Sequence, residues 1–190
     1  MKALLIDHDD SFTYNLRDWL GPAFSVDVRN HRDLEAGLSE NNLNLYSVIV
    51  LSPGPKAPRD YPHVKKFIQG LASDRKVFGV CLGMQILCEL DSGHVVTYTP
   101  PLHGKKSKIK TTDSAIEKFN GLSVARYHSL QCELAPNSGF KILATTEGDN
   151  KPMWLQHRYK KQLAFQFHPE SFLTEEPNLF LQYLNDWCHS

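Results

Sequence analysis

The sequence lacks an excess of charge of either sign. Its 190 residues contain 21 Lys and Arg against 21 Asp and Glu, so the formal net charge is zero. Proteins that bind nucleic acid or an anionic membrane surface through charge carry a basic excess. We therefore expect neither a nucleic acid nor a membrane as a partner.

Long apolar runs are also missing. The first apolar run covers residues 3–6 and ends at Asp7, whereas a membrane span needs roughly 18 apolar residues. The same run is too short for the apolar segment of a signal peptide, which takes about 7–15 residues. The sequence thus predicts no membrane span and no export signal.

Cysteine is scarce and irregularly spaced. Cys81, Cys88, Cys132 and Cys188 form no CxxC pair and no metal-ligand spacing, so we expect neither a metal nor another cofactor. Without an export signal, reduced thiols and a cytoplasmic location are expected. The chain also lacks repeats, low-complexity tracts and long linkers, and its 41% hydrophobic content fits one globular domain over residues 1–190.

The pattern that is present alternates short apolar runs with helical spacings. Runs rich in Val, Ile, Leu and Phe predict strands, and apolar residues at helical spacing between them predict helices, the first with Ser11 as its N-cap. This order is typical of an α/β protein of flavodoxin-like type: a mostly parallel sheet flanked by helices, with antiparallel strands added by residues 95–156. The predicted strands cover 2–6, 24–28, 47–51, 76–80, 95–99, 107–111, 141–145, 153–156 and 163–167, and the helices 12–20, 64–71, 82–90 and 178–187.

One cysteine follows a predicted strand in the segment F-G-V-C-L-G-M-Q, residues 78–85. Glycines two positions before and after Cys81 permit a sharp turn from strand to helix, like the nucleophile elbow of hydrolases. The helix N-terminus lowers the pKa of such a thiol and offers N–H groups to an oxyanion. A small buried cysteine also fits G-x-C-x-G, so the interpretation depends on a partner base.

The segment F-Q-F-H-P-E-S, residues 165–171, supplies that base after another predicted strand. His168 should reach the same carboxyl edge of the sheet as Cys81, and Glu170 can orient its ring, which gives a Cys-His-Glu triad. A third strand is followed by L-S-P-G-P-K, residues 51–56, where the N–H of Gly54 could complete an oxyanion hole with that of Leu82. An ordinary turn explains either segment alone.

Together these motifs resemble the class I, or triad, glutamine amidotransferases over nearly the whole chain. Within that class the chain is similar to the small subunits of anthranilate synthase and aminodeoxychorismate synthase, and D-S-F-T-Y-N is the most specific part of the resemblance. The matching segments are L-L-I-D-H-D-D-S-F-T-Y-N-L (4–16), L-S-P-G-P (51–55), H-G-K (103–105), R-Y-H-S-L (126–130) and F-Q-F-H-P-E-S-F-L-T-E (165–175).

The resemblance implies a glutaminase that forms a Cys81 thioester and delivers ammonia to a larger, chorismate-binding subunit. It implies Cys81 as nucleophile, His168 as acid and base, and Glu170 as the residue that orients it. The implied glutamine-binding residues are Gly54, Pro55, Lys56, Gln85, Ser129 and Leu130. The implied partner contacts are Asp10, Ser11, His103 and Lys105.

Departures from the family pattern and other functions stay open at this stage. Lys56 stands where a small residue is common, Met84 replaces a frequent histidine, and residues 89–94 replace a double-glycine turn. A freestanding cysteine hydrolase acting on γ-glutamyl compounds or peptides is one alternative, and a catalytically idle homologue is another. Whether the final product is anthranilate or aminodeoxychorismate is not decided by the sequence.

Overall fold

The computed structural model describes residues 1–36, 40–102 and 104–190. Its strands are β1 Lys2–Asp7, β2 Ser25–Asn30, β3 Val48–Leu51, β4 Val77–Val80, β5 His94–Thr97, β6 Lys105–Thr111, β7 Ser123–Arg126, β8 Leu130–Glu133, β9 Phe140–Thr146, β10 Pro152–His157 and β11 Gln162–Phe165. Its α-helices are α1 Thr13–Leu20, α2 Glu40–Leu43, α3 Pro62–Gln69, α4 Leu82–Leu90 and α5 Pro177–His189. Short 3-10 segments cover His31–Ala36, Pro58–Asp60 and Ser114–Phe119. None of the α-helices in these ranges is long and apolar enough to cross a membrane.

The main sheet is parallel in one half and antiparallel in the other. Its strand order is β2-β1-β3-β4-β11-β10-β9-β6-β7, while β5 and β8 form a separate two-stranded sheet. The pairs from β2 to β11 are parallel, and the pairs from β11 to β7 are antiparallel. This confirms the predicted class of fold, a mostly parallel sheet extended by antiparallel strands.

Alternation along the parallel strands builds a core on each face of the sheet. Ala3 and Leu5 of β1 pack in one cluster with residues of α1 and α5. Leu4 and Ile6, the intervening residues, pack in a second cluster with residues of α3 and α4. Because successive side chains of a strand point to opposite faces, apolar residues at every position require helices on both sides.

The parallel half fixes where the predicted motifs meet. β1 ends at Asp7, β3 at Leu51, β4 at Val80 and β11 at Phe165. Parallel strands present their carboxyl ends at one edge of the sheet, which is where open α/β sheets place their sites. The segments that follow these four strands therefore lie together at that edge.

The beginning of α1 differs from the sequence-based expectation. Ser11 is not the N-cap: Phe12 occupies that position and makes no capping hydrogen bond. Asp7 and Asp10 accept the hydrogen bonds at the start of this helix instead. Thr13 Oγ1 donates to Asp7 Oδ1 at 2.7 Å, and the Phe12 N–H donates to Asp10 Oδ1 at 2.8 Å. A carboxylate accepts these N–H and O–H groups more strongly than a serine hydroxyl does.

Two strands were not predicted. β7 has the sequence S-V-A-R and β8 has L-Q-C-E, so each is four residues long and ends in a charged residue. β7 is held by antiparallel pairing with β6, and β8 by pairing with β5. Tertiary pairing, rather than local propensity, makes these segments strands.

Candidate active site

Cys81 lies on a strained turn between β4 and α4. Its backbone has φ +51° and ψ −100°, a region that non-glycine residues rarely occupy. The Cys81 N–H donates to the Phe165 carbonyl at 2.8 Å, and the Cys81 carbonyl accepts from the Gln85 N–H at 3.1 Å. These bonds tie the turn to β11 and to the first turn of α4, so the strained conformation is maintained by its surroundings.

Glycine is needed on both sides of this turn because there is no space for a Cβ atom at either position. A Cβ on Gly79 would lie 2.5 Å from the carbonyl carbon of Gly83, and one on Gly83 would lie 2.5 Å from the Leu51 oxygen. Both contacts are with backbone, which cannot move aside as a side chain can. The two glycines therefore allow α4 to begin directly against β3 and β4.

His168 and Glu170 form a buried pair beside the turn. The His168 Nδ1 atom is 2.7 Å from Glu170 Oε1, and the two side chains are 3% and 0% exposed. The His168 N–H donates to the Ala125 carbonyl at 3.0 Å, and Thr174 Oγ1 donates to the His168 carbonyl at 2.6 Å. With Nδ1 bonded to the carboxylate, Nε2 is the ring nitrogen left for Cys81.

The electrostatics of this pair favour a charged imidazole. Burial alone lowers the pKa of His168, but the Glu170 charge and hydrogen bonding to Cys81 raise it, and the net result is a pKa well above the ordinary value. The arrangement is an imidazolium that a buried carboxylate orients, next to Cys81.

Two aromatic rings enclose His168. The Phe12 ring centroid is 5.2 Å from the His168 ring, and the Tyr127 centroid is 5.0 Å from it. The Tyr127 hydroxyl is 3.0 Å from Ser171 Oγ. The sequence did not predict these contacts, because they join residues far apart in the chain. The place of Phe12 in the D-S-F-T-Y-N segment was the one indication of its contact with His168.

The two residues predicted to form an oxyanion hole lie against each other. A Cβ on Gly54 would lie 2.4 Å from Leu82 Cδ2 and 2.7 Å from the Cβ of His8. The adjoining Pro55 carbonyl accepts a hydrogen bond from the Tyr61 hydroxyl at 2.9 Å. Lys56 is exposed and has φ +69°, so this departure from a small residue sits where glycine would be less strained.

The buried residue His8 forms hydrogen bonds with Ser52, at the start of the loop that carries Gly54. His8 Nδ1 is 3.1 Å from the Ser52 carbonyl oxygen, and the His8 N–H donates to Ser52 Oγ at 2.9 Å. Burial, with the nearby charge of His31, lowers the pKa of His8 to about 3, which keeps the ring neutral. In the described part of the chain, no three His, Cys, Asp or Glu side chains are grouped to hold a metal ion.

Among the remaining predicted glutamine-binding residues, Gln85 contacts the Ser129–Leu130 segment. Gln85 Nε2 donates to the Leu130 carbonyl at 3.4 Å, and the Ser129 carbonyl accepts from the Tyr98 N–H at 2.7 Å. His128 Nδ1 is 2.7 Å from the same Leu130 oxygen. Its Nε2 accepts from Arg126 Nε at 3.0 Å.

The protonation state of His128 follows from these contacts. Burial, together with the charge of Arg126, lowers the pKa of His128 to about 4. A neutral ring that accepts at Nε2 must carry its proton on Nδ1, so it donates to Leu130. The Leu130 carbonyl is thereby fixed by two donors.

The structure describes three of the four residues predicted to contact a partner. Asp10 is half-buried and Ser11 is exposed, both in the segment between β1 and α1. Lys105 is exposed at the start of β6, where it pairs with Arg126, one residue from Tyr127. His103 lies outside the described residues.

Comparison with known proteins gives one family. Residues 4–185 match the family described as glutamine amidotransferase class-I. The chain is 38% identical to "Anthranilate synthase component 2" of Haemophilus influenzae, over 98% of this chain and 97% of the relative. It is 36% identical to the protein of the same name from Vibrio parahaemolyticus, over 98% and 96%. A glutamine amidotransferase structure from Thermotoga maritima superposes with a TM-score of 0.70 at 17% identity, covering 98% of this chain and 94% of that one, which shows a shared fold.

Proposed function

This chain belongs to the class I glutamine amidotransferase family, and from that premise we propose that it hydrolyses L-glutamine with Cys81 as nucleophile. The observation that carries the proposal is the strained Cys81 turn beside the 2.7 Å His168–Glu170 pair. A nucleophile, a base and a residue that orients the base are the three parts of a catalytic triad.

The first half of the reaction uses the charged pair. The Cys81 thiolate attacks the side-chain amide carbon of glutamine, and the oxygen that becomes negative accepts hydrogen bonds from the N–H groups of Gly54 and Leu82. The C–N bond of the tetrahedral intermediate breaks, and the His168 imidazolium gives its proton to the departing nitrogen, which leaves as ammonia. A γ-glutamyl thioester on Cys81 and a neutral His168 remain.

The second half returns the enzyme to its starting state. Neutral His168 takes a proton from water, the hydroxide attacks the thioester carbon, and the C–S bond breaks to release glutamate. The proton stays on His168 opposite the thiolate. The sum is glutamine plus water giving glutamate plus ammonia.

Glutamine is held next to this chemistry by residues on two elements. The backbone from Gly54 to Lys56 begins against Leu82, and Gln85 contacts the Leu130 carbonyl in the Ser129–Leu130 segment. Exposed Ser11, with Asp10 beside it, and Lys105 flank the same edge and would contact a partner. That partner is a larger chorismate-using synthase subunit that receives the ammonia, in anthranilate or aminodeoxychorismate synthesis.

The test measures glutamate release from glutamine by the purified chain mixed with each candidate synthase subunit and chorismate, together with the aromatic product formed. We expect glutamate release with one of the two subunits and formation of that subunit's amino product. Hydrolysis of γ-glutamyl compounds or peptides, with none of glutamine under any condition, would contradict the proposal and indicate a freestanding hydrolase.

A further inference from the structure

A fully buried glutamine lies against the sulfur of Cys81. Gln166 follows β11 directly and is 0% exposed, and its amide nitrogen donates to Cys81 Sγ at 3.5 Å. Burying an amide is unfavourable unless its polar atoms are paired. A methionine would fill similar space without that penalty, so the polarity of this side chain points to a use.

The orientation of the Gln166 amide is set by a neighbouring donor. Gln85 Nε2 donates to Gln166 Oε1 at 3.4 Å and is itself anchored on the Leu130 carbonyl at 3.4 Å. Because the oxygen of Gln166 is occupied by a donor, its nitrogen is the end that faces Cys81. The amide is therefore aimed at the sulfur by its surroundings.

We propose that Gln166 is a positioning residue for the reaction, whose amide N–H holds the Cys81 sulfur and stabilises its thiolate. The inference rests on the proposed function, in which that sulfur is the nucleophile. A hydrogen bond to an ionised acceptor is stronger than one to its neutral form, so the donor favours thiolate over thiol. Gln166 thus supplies a hydrogen-bond donor directly to the sulfur.

The experiment follows the alkylation of Cys81 by iodoacetamide as a function of pH, with the modified peptide quantified by mass spectrometry. Wild type is compared with Gln166→Met and Gln166→Glu. In the Met variant we expect the midpoint of Cys81 alkylation to rise by about one pH unit. Below the midpoint this corresponds to about tenfold less thiolate, a difference of about 1.4 kcal/mol. The Glu variant should shift further, because its carboxylate repels the thiolate.

Gln131→Met is the matched control. Gln131 is a buried glutamine on β8, next to Leu130 in sequence and 6% exposed, with no hydrogen bond to Cys81 in the described structure. The Gln131→Met variant should keep the alkylation midpoint of wild type, although it loses a buried amide of the same size.

The possible outcomes separate a role at the sulfur from a role in packing. An unchanged midpoint in a Gln166 variant with the circular dichroism spectrum of wild type would overturn the inference, and so would an equal shift in the Gln131 variant. Should Gln166→Met fail to fold, Gln166→Glu keeps the length of the side chain and an oxygen facing Gln85 and supplies the same measurement. Glutamate release by wild type with its partner is scored separately, so a failure of the proposed function would be recognised apart from this titration.

Discussion

At the scale of single residues, the site is a set of charges whose states are fixed by burial and by neighbours. The pKa of His168 is raised because the effects of Glu170 and Cys81 outweigh burial, whereas the pKa of His128 falls to about 4 because burial and Arg126 act in the same direction. These two histidines are therefore held in opposite protonation states at neutral pH, and only His168 is an imidazolium.

The first residue-scale prediction concerns the nucleophile. Cys81→Ala should abolish glutamate release from glutamine, because alanine has no sulfur to attack the amide carbon. The fold should remain, since the side chain contributes little volume to the core, and ammonia-dependent synthesis by the partner subunit should continue. The measurement is a glutaminase assay together with thermal unfolding.

Cys188→Ala is the control for that prediction. Cys188 is also buried, at 6% exposure, but its carbonyl contacts Lys76 before β4, at the opposite end of that strand from Cys81. Its substitution should leave glutamate release intact. Near wild-type glutamate release by Cys81→Ala would show that the nucleophile is assigned wrongly.

The second residue-scale prediction concerns the pH dependence that Glu170 imposes. Because the folded pKa of His168 is raised, its imidazolium persists at neutral pH and is lost as the pH rises through that value. Glu170→Gln removes the charge that raises the pKa, so the alkaline limb of the kcat/KM profile should move to lower pH. The loss of kcat should be smaller than the roughly 10²–10⁴-fold loss expected for His168→Ala, which removes the proton donor itself.

Kinetics from acid to alkaline pH on both variants decide this point. The amide oxygen at position 170 can still accept from Nδ1, so the ring keeps its tautomer while losing the charge. An alkaline limb that stays in place, or a larger loss of kcat for Glu170→Gln than for His168→Ala, would mean that the roles within the pair are different.

Cys81, marked by its glycine spacing, was predictable, whereas contacts set only by side-chain packing were not. The G-x-C-x-G spacing placed Cys81 on a turn, and the turn has the predicted strained backbone. Gln166 carries no such signature, since its contact with Cys81 spans 85 positions in the chain. Phe12 and Tyr127 were missed for the same reason.

At the scale of elements, the site depends on how closely α4 approaches the strands. The substitution Gly79→Ala should destabilise the protein by roughly 3 kcal/mol or more, because the added methyl would meet backbone of Gly83 at 2.5 Å and overpacking against backbone has no relaxed alternative. Chemical denaturation in urea measures the change in the free energy of unfolding.

Gly70→Ala is the matched control for that loss. Gly70 ends α3 with right-handed φ −79°, and a Cβ there would meet its nearest atom at an ordinary 3.5 Å. We expect a change within about 0.5 kcal/mol, as for surface substitutions without such contacts. Equal effects at the two glycines would contradict the close-approach argument.

Element boundaries followed the sequence where burial was continuous and departed from it where pairing decided the outcome. The run at 76–80 predicted β4 to within one residue, because a strand buried on both faces is apolar at each position. β7 and β8 lack such runs and exist through their partners β6 and β5. The start of α1 was predicted at Ser11 because a serine is a good N-cap, yet Asp7 and Asp10 supply stronger acceptors.

At the scale of the whole molecule, the two halves of the sheet contribute different parts of one site. The parallel half brings Cys81 and the Gly54 loop to its carboxyl edge, the antiparallel half brings Tyr127 beside His168, and the separate β5–β8 sheet carries Leu130. A bridge between Ala125 and His168 joins the halves beside the site. The sequence predicted the first contribution from strand order, but the second depends on unpredicted β7.

The exposed side of this edge is where a partner can control the chemistry, and the last prediction is that the isolated chain is a poor glutaminase which its synthase subunit activates. Phe12 contacts His168, so a partner that bound the exposed Ser11 next to it would act close to His168. On the opposite side, Lys56 holds a strained φ of +69° in the loop that carries Gly54. Residues strained in this way are common in segments that switch between conformations, and losing one oxyanion donor lowers the rate by roughly 10²–10³. A partner that binds the productive conformation better would shift the population toward it.

Glutamate release is measured for the chain alone, with the subunit, and with the subunit and chorismate, and should rise at least about tenfold between the first and the last. Ser11→Arg should reduce that activation, whereas Asp74→Arg, exposed before β4 at the opposite edge, should not. Equal turnover under all three conditions would contradict activation by the partner while leaving membership of the amidotransferase family unaffected.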